Sequence, residues 1–161
     1  MNKYYPYLKE HGSKLIDLGY KIIPIPPGEK RPFKKSWQDI DADQHQLGGW
    51  LNNGDEKSGI GILTGEVVAI DIDVYDEEYV VHLVEYCQKH FGAAPIRVGN
   101  RPKALLVYRA EQPFKKITSN LYEGLTGSAQ VEILGKGQQF VAYNIHPDTE
   151  KPENGRVIMY Q

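Results

Sequence analysis

Apolar residues in the first third of the chain recur first at the spacing of a helix and then at that of a strand. Leu8, Leu15 and Leu18 fall near one helix face, although Gly12 interrupts the pattern. The prolines that follow favour a strand at the edge of a sheet. The pattern predicts, in order, a helix over residues 5–18, a strand over 20–25, a Pro/Gly/Lys-rich loop over 26–36 and a polar helix over 42–51 capped by Asp41 or Asp43.

The most regular pattern lies in residues 59–74, which read GIGILTGEVVAIDIDV. Two apolar runs flank Thr64-Gly65-Glu66, and this arrangement predicts a β-hairpin. Asp76 is a suitable N-cap for a following helix over residues 77–91. Gly92 stands where a helix commonly ends, and the predicted apolar stripe consists of Val80, Leu83, Val84, Cys87 and Phe91.

Shorter apolar runs in the second half of the chain predict further strands. These cover residues 95–98, 104–109, 130–134 and 139–143, and the last two are joined by a turn at Gly135-Lys136-Gly137. Strands and helices in this mixed order are typical of an α+β sheet domain. A length of 161 residues favours a single domain over residues 1–161, or two tightly joined lobes.

Composition narrows the class of protein without identifying it. The formal net charge is −2, from 19 basic and 21 acidic residues, which argues against a uniformly basic surface for nonspecific DNA binding but allows a local basic groove. The single cysteine, Cys87, excludes an intramolecular disulfide and a zinc cluster. No apolar run reaches the roughly 20 residues of a membrane span, and the N-terminus lacks a signal-peptide pattern. A soluble, cytoplasmic protein with no membrane partner is therefore expected.

Two aspartates end the second apolar run of residues 59–74. Because alternate side chains of a strand share a face, Asp71 and Asp73 project together, about 7 Å apart at Cα, while Ile72 points toward the predicted helix. Two neighbouring carboxylates need cations or hydrogen-bond donors, and a divalent, oxygen-preferring ion is a natural partner. The alternative is that these aspartates merely end the strand and begin the loop before the helix.

Glu132 supplies a third carboxylate. It lies between Val131 and Ile133, whose side chains are expected to face a core, so Glu132 faces the opposite side. An exposed sheet face would also explain an acidic residue at this position. Together with Asp71 and Asp73, however, Glu132 completes a set of carboxylates that can hold two Mg²⁺ or Mn²⁺ ions about 3.5–4 Å apart.

Basic and polar residues near these strands are candidates for binding a triphosphate. A triphosphate needs cations on the oxygens that metal ions leave uncovered, and Lys103 and Arg97 lie in one short basic stretch. His146 follows the last predicted strand, and Gln139 begins that strand after the Gly-Lys-Gly turn. For Lys103 and Arg97, each taken alone, the alternative is a solvated residue near a turn, and for His146 it is a hydrogen bond inside a loop.

The loop over residues 26–36 combines cations with aromatic residues, an arrangement that can follow a nucleic-acid backbone and stack a base. It is equally typical of a solvated loop beside a buried tryptophan, here Trp37. Lys115 and Lys116 form a weaker candidate of the same kind. The cations of the loop, all within the sequence GEKRPFKKSW, are Lys30, Arg31, Lys34 and Lys35.

Several of these segments resemble the bifunctional DNA primase/polymerase N-terminal domain of the archaeo-eukaryotic primase superfamily, which is found on phages, plasmids and integrated elements. GEKRPFKKSW resembles the family's early Lys-Pro-x-Trp region, GIGILTGEVVAIDIDVYD its first motif, and VEILGKGQQFVAYNIHPDT its third-motif strand with the segment after it. The likeness spans about residues 15–150. It implies an α+β, archaeo-eukaryotic primase-like fold, in which a mixed sheet forms an RRM-like catalytic half packed on a second small α/β half.

The resemblance also implies an activity and its partners. The activity is metal-dependent, template-directed nucleotidyl transfer, as a DNA primase and/or DNA polymerase, with Mg²⁺ or Mn²⁺ in a two-metal site. Asp71 and Asp73 match the first-motif metal ligands and Glu132 matches the third-motif carboxylate, so these three are expected to be catalytic. The expected partners are a single-stranded DNA template and primer, NTP or dNTP, and a helicase domain or protein, in the replication of a phage, plasmid or integrated element.

One departure from the family pattern leaves alternatives open. The second motif usually ends in a histidine that contacts the incoming nucleotide, whereas the chain reads Arg101-Pro102-Lys103 there. Either Lys103 or His146 replaces that histidine, or the domain is a catalytically weak or inactive module that binds nucleotides or nucleic acid.

Two further alternatives concern the reaction and the extent of the protein. A metal-dependent glycosyltransferase or phosphohydrolase would also use such aspartates, although the chain has no Gly-rich nucleotide fingerprint. The helicase or primer-completing domain often found downstream in the family has no counterpart in these 161 residues. The chain is therefore expected to be a small stand-alone form or the N-terminal part of a longer replication protein.

Overall fold

The computed structural model describes residues 5–124 and 127–147, and helices and strands alternate irregularly within them. In these ranges no helix combines the length and the apolar character that crossing a membrane requires. Short 3₁₀ helices lie at Trp37–Asp39 and Asp55–Lys57. In chain order the other elements are α1 (Tyr7–Asp17), β1 (Ile22–Ile25), α2 (Gln44–Asn52), β2 (Gly59–Leu63), β3 (Val67–Asp73), α3 (Glu77–Phe91), β4 (Ile96–Val98), β5 (Ala104–Arg109), β6 (Ile117–Thr118), β7 (Tyr122–Gly124), β8 (Gly127–Leu134) and β9 (Gln139–Tyr143).

The chain divides into two compact units, each with its own antiparallel sheet. Within the described ranges, the terminal unit comprises residues 5–63 and 139–147, and its strands follow the order β1-β2-β9. The central unit comprises residues 64–138, and its strands follow the order β4-β5-β3-β8-β6, with β7 paired to β8. The predicted α+β class is confirmed, while the assignment of residues 1–161 to a single domain stays a prediction.

β1 is an edge strand of the terminal sheet, as its proline predicts. Pro24 lies opposite Ile60 of β2, and β1 has no second partner among the described strands. Its isoleucines enter two clusters: Ile22 packs with residues of α1 and α2, whereas Ile23 and Ile25 pack with Leu63 of β2. A strand that is apolar on both faces is therefore buried on both faces.

α1 and α2 pack against each other at a glycine. A Cβ added to Gly12 of α1 would lie 3.0 Å from Cδ1 of Leu47 in α2, so the missing side chain lets the two helices approach closely. This contact explains the glycine that interrupts the apolar pattern of α1. Of the two predicted caps of α2, the structure uses Asp43, whose Oδ1 accepts a hydrogen bond from the Gln46 N–H at 2.8 Å.

The strands on either side of Thr64-Gly65-Glu66 do not pair with each other, so the predicted hairpin over residues 59–74 is wrong. β2 pairs with β1 and β9, whereas β3 pairs with β5 and β8. Each strand is buried along almost its whole length and occupies an interior position in its sheet, with a partner on both sides. β8 and β9 likewise flank a turn yet lie in different sheets. Apolar runs predict strands but do not specify which strands pair.

α3 covers one face of the central sheet. Asp76 caps the helix as predicted, since its Oδ1 accepts a hydrogen bond from the Tyr79 N–H at 3.2 Å. Phe91, the last member of the predicted stripe, is 61 % exposed, and that part of the prediction is wrong. It lies in the final turn, beyond Cys87, which is the last buried residue of the helix. α3 and β3 pack together in one apolar cluster. α3 contributes Val80, Leu83, Val84 and Cys87, and β3 with the residue after it contributes Ile70, Ile72 and Val74.

The sequence pattern misses β6, β7 and the beginning of β8. β6 and β7 contain two and three residues, all of them exposed, and β8 begins at Gly127 rather than at residue 130. Short exposed strands lack the apolar alternation from which strands are predicted, because neither of their faces is buried. β6 nevertheless matters for the site, since it pairs with Glu132 of β8.

Candidate metal and nucleotide site

Asp71 and Glu132 are direct neighbours across two antiparallel strands. The register pairs Asp71 of β3 with Glu132 of β8, and side chains paired in this way lie on the same face of a sheet. Asp73 projects from that face two residues further along β3, where its partner in β8 is Gln130. The structure therefore brings together, on one face of the central sheet, the three carboxylates that the sequence predicts as a set.

The same register extends this row of side chains in both directions. Asp71 also pairs with Leu105 of β5, and Leu105 pairs with Arg97 of β4. On the other side, Glu132 pairs with Thr118 of β6. Arg97 therefore faces the carboxylate side of the sheet, as its assignment to a phosphate requires, with the fully buried Leu105 between it and Asp71.

Burial decreases along β3 toward its acidic end. Val67 and Ala69, on the same face as the aspartates, are buried; Asp71 is half-buried and Asp73 is exposed. The strand is thus buried at its start and open to solvent at its carboxylate end. An ion or substrate can thus reach Asp73 from solvent, while Asp71 stands at the boundary of the core.

Asp71 lies in a position that disfavours its own negative charge. Burial raises the pKa of its carboxyl group, and the neighbouring Asp73 and Glu132 act in the same direction. Arg97 and Lys103 act in the opposite direction without reversing the shift. Additional positive charge beside Asp71 would therefore be favourable.

Asp73 and Glu132, the carboxylates on either side of Asp71, each form an ion pair with a lysine. Nζ of Lys103 lies 2.6 Å from Oδ1 of Asp73 and 3.9 Å from the ring centroid of Tyr75, and Nζ of Lys116 lies 2.6 Å from Oε1 of Glu132. Burial lowers the pKa of Lys103, but hydrogen bonds to Asp73 and Tyr75 outweigh it and leave that pKa raised. The sequence pattern assigned Lys116 only weakly, and to nucleic acid, because the strand β6 that follows it was not predicted.

The donor atoms fit Mg²⁺ or Mn²⁺, because such ions prefer carboxylate oxygens and because added positive charge beside the half-buried Asp71 would be favourable. The side chains as arranged are not yet a metal cluster: over residues 5–124 and 127–147, no group of three or more histidine, cysteine, aspartate or glutamate residues could hold an ion. Asp73 and Glu132 instead have lysine ammonium groups as counterions. Metal binding at this face would require these carboxylates to exchange lysine for metal.

The sequence of the chain matches the model of a known protein family. The Prim-Pol family model, described as bifunctional DNA primase/polymerase, N-terminal, matches residues 13–158, which is most of the chain. The chain belongs to the Prim-Pol family. Membership confirms the resemblance and the primase-like α+β fold, and it indicates nucleotidyl transfer of the primase/polymerase type. No curated protein matches the chain.

Lys103 occupies the place in this Prim-Pol domain where the second-motif histidine is expected. It directly precedes β5, and its ammonium group reaches Asp73 of the neighbouring β3. The cation is therefore on the carboxylate face of the sheet, beside Asp73. Its assignment as a phosphate ligand stays a prediction that this position supports.

The other predicted contact residues belong to the terminal unit and not to the sheet that holds the carboxylates. Gln139 begins β9, and its Nε2 donates a hydrogen bond to the Lys30 carbonyl at 2.8 Å; His146 is buried. Their assignment to the nucleotide stays a prediction.

The four cations of the loop over residues 26–36, which were assigned to nucleic acid, also lie in the terminal unit. Lys34 pairs with Asp55 at 3.3 Å, whereas the side chains of Lys30, Arg31 and Lys35 are exposed.

Proposed function

We propose that this Prim-Pol domain is a DNA primase and/or DNA polymerase that transfers nucleotides to a growing 3′ end in a template-directed, metal-dependent reaction. The observation that supports this most directly is the pairing of Asp71 with Glu132 across β3 and β8, with Asp73 on the same face. We further propose that it serves the replication of a phage, plasmid or integrated element, with a helicase domain or protein as a partner.

Asp71, Asp73 and Glu132 are the residues that would hold the metal ions. When bound there, Mg²⁺ or Mn²⁺ supplies charge for the phosphate oxygens and acidifies the attacking 3′ hydroxyl. The half-buried Asp71 is the central ligand, because it is the neighbour of Glu132 across the strands and of Asp73 along its own strand. Its raised pKa, which is due mainly to burial, means that a cation placed beside it would be favourable.

The chain's own cations then have a second role. Lys103 and Lys116 balance Asp73 and Glu132 when no other cation is present, and both of these flexible side chains are partly exposed. Once those carboxylates have another counterion, the two lysines can contact an incoming triphosphate, and Arg97 adds positive charge on the same face of the sheet. Charge-assisted hydrogen bonds to phosphate are the strong contacts for this purpose.

A binding module without turnover is the second candidate. It is favoured by one observation, the sequence Arg101-Pro102-Lys103 where the family's second motif has a histidine. If Lys103 binds phosphate but does not position the nucleotide for attack, the domain would bind nucleotides and transfer them slowly.

Extension of a labelled DNA primer on a template, with dNTP and Mg²⁺ or Mn²⁺, tests the proposal. The wild type is expected to extend the primer, and a doubly substituted Asp71→Asn/Asp73→Asn protein is expected to lose extension while still folding. A parallel reaction without primer, supplied with NTP or dNTP, distinguishes priming from extension. Nucleotide binding without any extension would favour the binding module, and consumption of nucleotide without template would indicate a phosphohydrolase.

Replacing Lys103 with methionine is expected to raise the KM for nucleotide about tenfold, with a smaller effect on kcat. The physical reason is that loss of a charge-assisted hydrogen bond of about 1.5–3 kcal/mol, reduced by partial exposure, removes binding present in both the ground state and the transition state. Steady-state kinetics of single-nucleotide incorporation measures both constants. Lys89→Met, an exposed lysine of α3, is the control in the same unit. An unchanged KM would remove Lys103 from the nucleotide site.

A further inference from the structure

The loop over residues 26–36, here called the basic loop, is fixed by one buried side chain. Asn144 is 1 % exposed, and its Nδ2 donates hydrogen bonds to the carbonyls of Pro26 and Glu29, each at 2.9 Å. Its Oδ1 accepts from the backbone N–H of Gly28 at 3.3 Å and of Ile145 at 2.9 Å. Both donors and both acceptor positions of the amide are thus in use, and three of the four bonds reach the basic loop.

Two further contacts hold the rest of the loop. Gln139 donates a hydrogen bond to the Lys30 carbonyl at 2.8 Å, next to the segment that Asn144 holds. The Nζ of Lys34 lies 3.3 Å from Oδ2 of Asp55, and it lies over two aromatic rings, 4.8 Å from the ring centroid of Phe33 and 5.7 Å from that of Trp50. A loop anchored through its backbone and through one of its cations has a defined conformation before it meets any ligand, which lowers the entropy lost on binding.

The anchored loop presents an aromatic ring among cations. Phe33 is 58 % exposed, and the side chains of Lys30, Arg31 and Lys35 are exposed on either side of it in sequence. Glu29 is the only acidic residue between positions 26 and 36. Within this loop, then, Lys34 pairs with Asp55 and lies over one face of the Phe33 ring, while the other three cations and the exposed part of that ring remain on the surface.

We propose that the basic loop is a binding surface for single-stranded nucleic acid, in which Phe33 stacks on a base and Lys30, Arg31 and Lys35 contact phosphates. Unpaired bases offer a face for an aromatic ring, and phosphates offer charges at regular spacing, so a single strand matches both features of the loop. A duplex matches only the cations, because its base faces are already stacked. Asn144 and Lys34 act indirectly, by positioning the loop.

This inference rests on the proposed function for its biological reason, a template or primer strand, but its test does not. Binding is measured by fluorescence anisotropy in EDTA, without nucleotide, using a labelled oligothymidylate and a duplex of the same length. Loss of catalysis would therefore leave the binding result intact, and loss of binding would not depend on the carboxylates. A uridylate strand in a parallel titration shows whether DNA or RNA is preferred.

Phe33→Ala is expected to weaken binding of the single strand about tenfold and to leave binding of the duplex unchanged, since stacking on one base is the contact it removes. Phe33→Trp is expected to restore binding. Phe91→Ala, which removes an equally exposed phenylalanine from α3 in the central unit, is the matched control and should bind like the wild type.

Lys35→Ala is expected to weaken both complexes and to reduce the slope of log K against log salt by about 0.7 for the single strand. The proposal is overturned if Phe33→Ala binds the single strand as tightly as the wild type, if it weakens the duplex equally, or if the wild type binds no single strand. Phe33 is exposed, so its variants should fold; circular dichroism verifies this before binding is measured.

Discussion

Replacing Asp71 with asparagine is expected to reduce nucleotide incorporation about a thousandfold or more, while the protein remains folded. A bound metal ion contributes several kcal/mol of charge stabilisation to phosphoryl transfer, and each 1.36 kcal/mol changes the rate about tenfold, so loss of a carboxylate that would hold the ion should be costly. Asparagine keeps the size of the side chain and removes its charge. Single-turnover primer extension with saturating Mn²⁺ measures the loss without interference from product release.

The same substitution should stabilise the protein when divalent ions are absent. The pKa of Asp71 is raised in the folded state, mainly by burial, so folding favours its neutral form. The stability associated with such a group is fully present below the unfolded-state pKa and is lost as the pH rises through the folded-state pKa. Asparagine does not titrate, so Asp71→Asn should unfold at higher urea concentration than the wild type at pH 7. The difference should disappear below the ordinary pKa range of aspartate.

Asp41→Asn is the matched control for both measurements. Asp41 is an exposed aspartate of the terminal unit that pairs with Lys21 at the surface, where an ion pair contributes little. This variant should incorporate nucleotides and unfold like the wild type. Full metal-dependent incorporation by Asp71→Asn would exclude Asp71 as a metal ligand and, with it, the proposed active site.

The strand that holds the aspartates could be predicted because its chemistry is local. The alternation in residues 67–73 assigns Ile70 and Ile72 to one face and Asp71 and Asp73 to the other, and the structure has this arrangement. Glu132 could be placed on the carboxylate face for the same reason, from its neighbours Val131 and Ile133. That Asp71 and Glu132 are direct neighbours follows from the pairing of β3 with β8, which no local pattern contains.

What the sequence could not provide are contacts between distant segments. β2 and β3 adjoin in sequence and were predicted to form a hairpin, yet each is an interior strand of a different sheet. Lys116 was not recognised as the partner of Glu132, because β6 is short and exposed. Such pairings depend on register and on the rest of the sheet, which hydrophobic periodicity does not encode.

Asn144 shows the same limit for a buried polar residue. Its sequence context, after a strand and before Ile145, gives no reason to expect an anchor for a loop more than 100 residues earlier; the Nδ2 bond to Pro26 spans 118 positions. Burial and four hydrogen bonds become visible only in the folded chain. Gly59 belongs to the same arrangement, because a Cβ there would lie 2.5 Å from Cγ of Asn144.

Asn144→Ala is expected to lower the free energy of unfolding by about 3 kcal/mol or more, since each buried group left without a hydrogen-bond partner costs about 1–3 kcal/mol. The groups affected are the carbonyls of Pro26 and Glu29 and the N–H groups of Gly28 and Ile145. Water can reach part of the exposed loop and replace some of these bonds, which keeps the loss below the sum of the individual penalties. Urea denaturation followed by circular dichroism measures it.

The loss should be concentrated in the basic loop, because three of the four bonds of Asn144 end there. Trypsin should therefore cleave the variant faster than the wild type after Lys30 and Lys35, under conditions in which the protein is still folded. Asn52→Ala, an exposed asparagine in α2, should change the free energy of unfolding by less than about 0.5 kcal/mol and leave cleavage unchanged. Equal stability of Asn144→Ala and Asn52→Ala would show that the loop does not depend on its buried anchor, and the preorganised surface around Phe33 would then lose its physical basis.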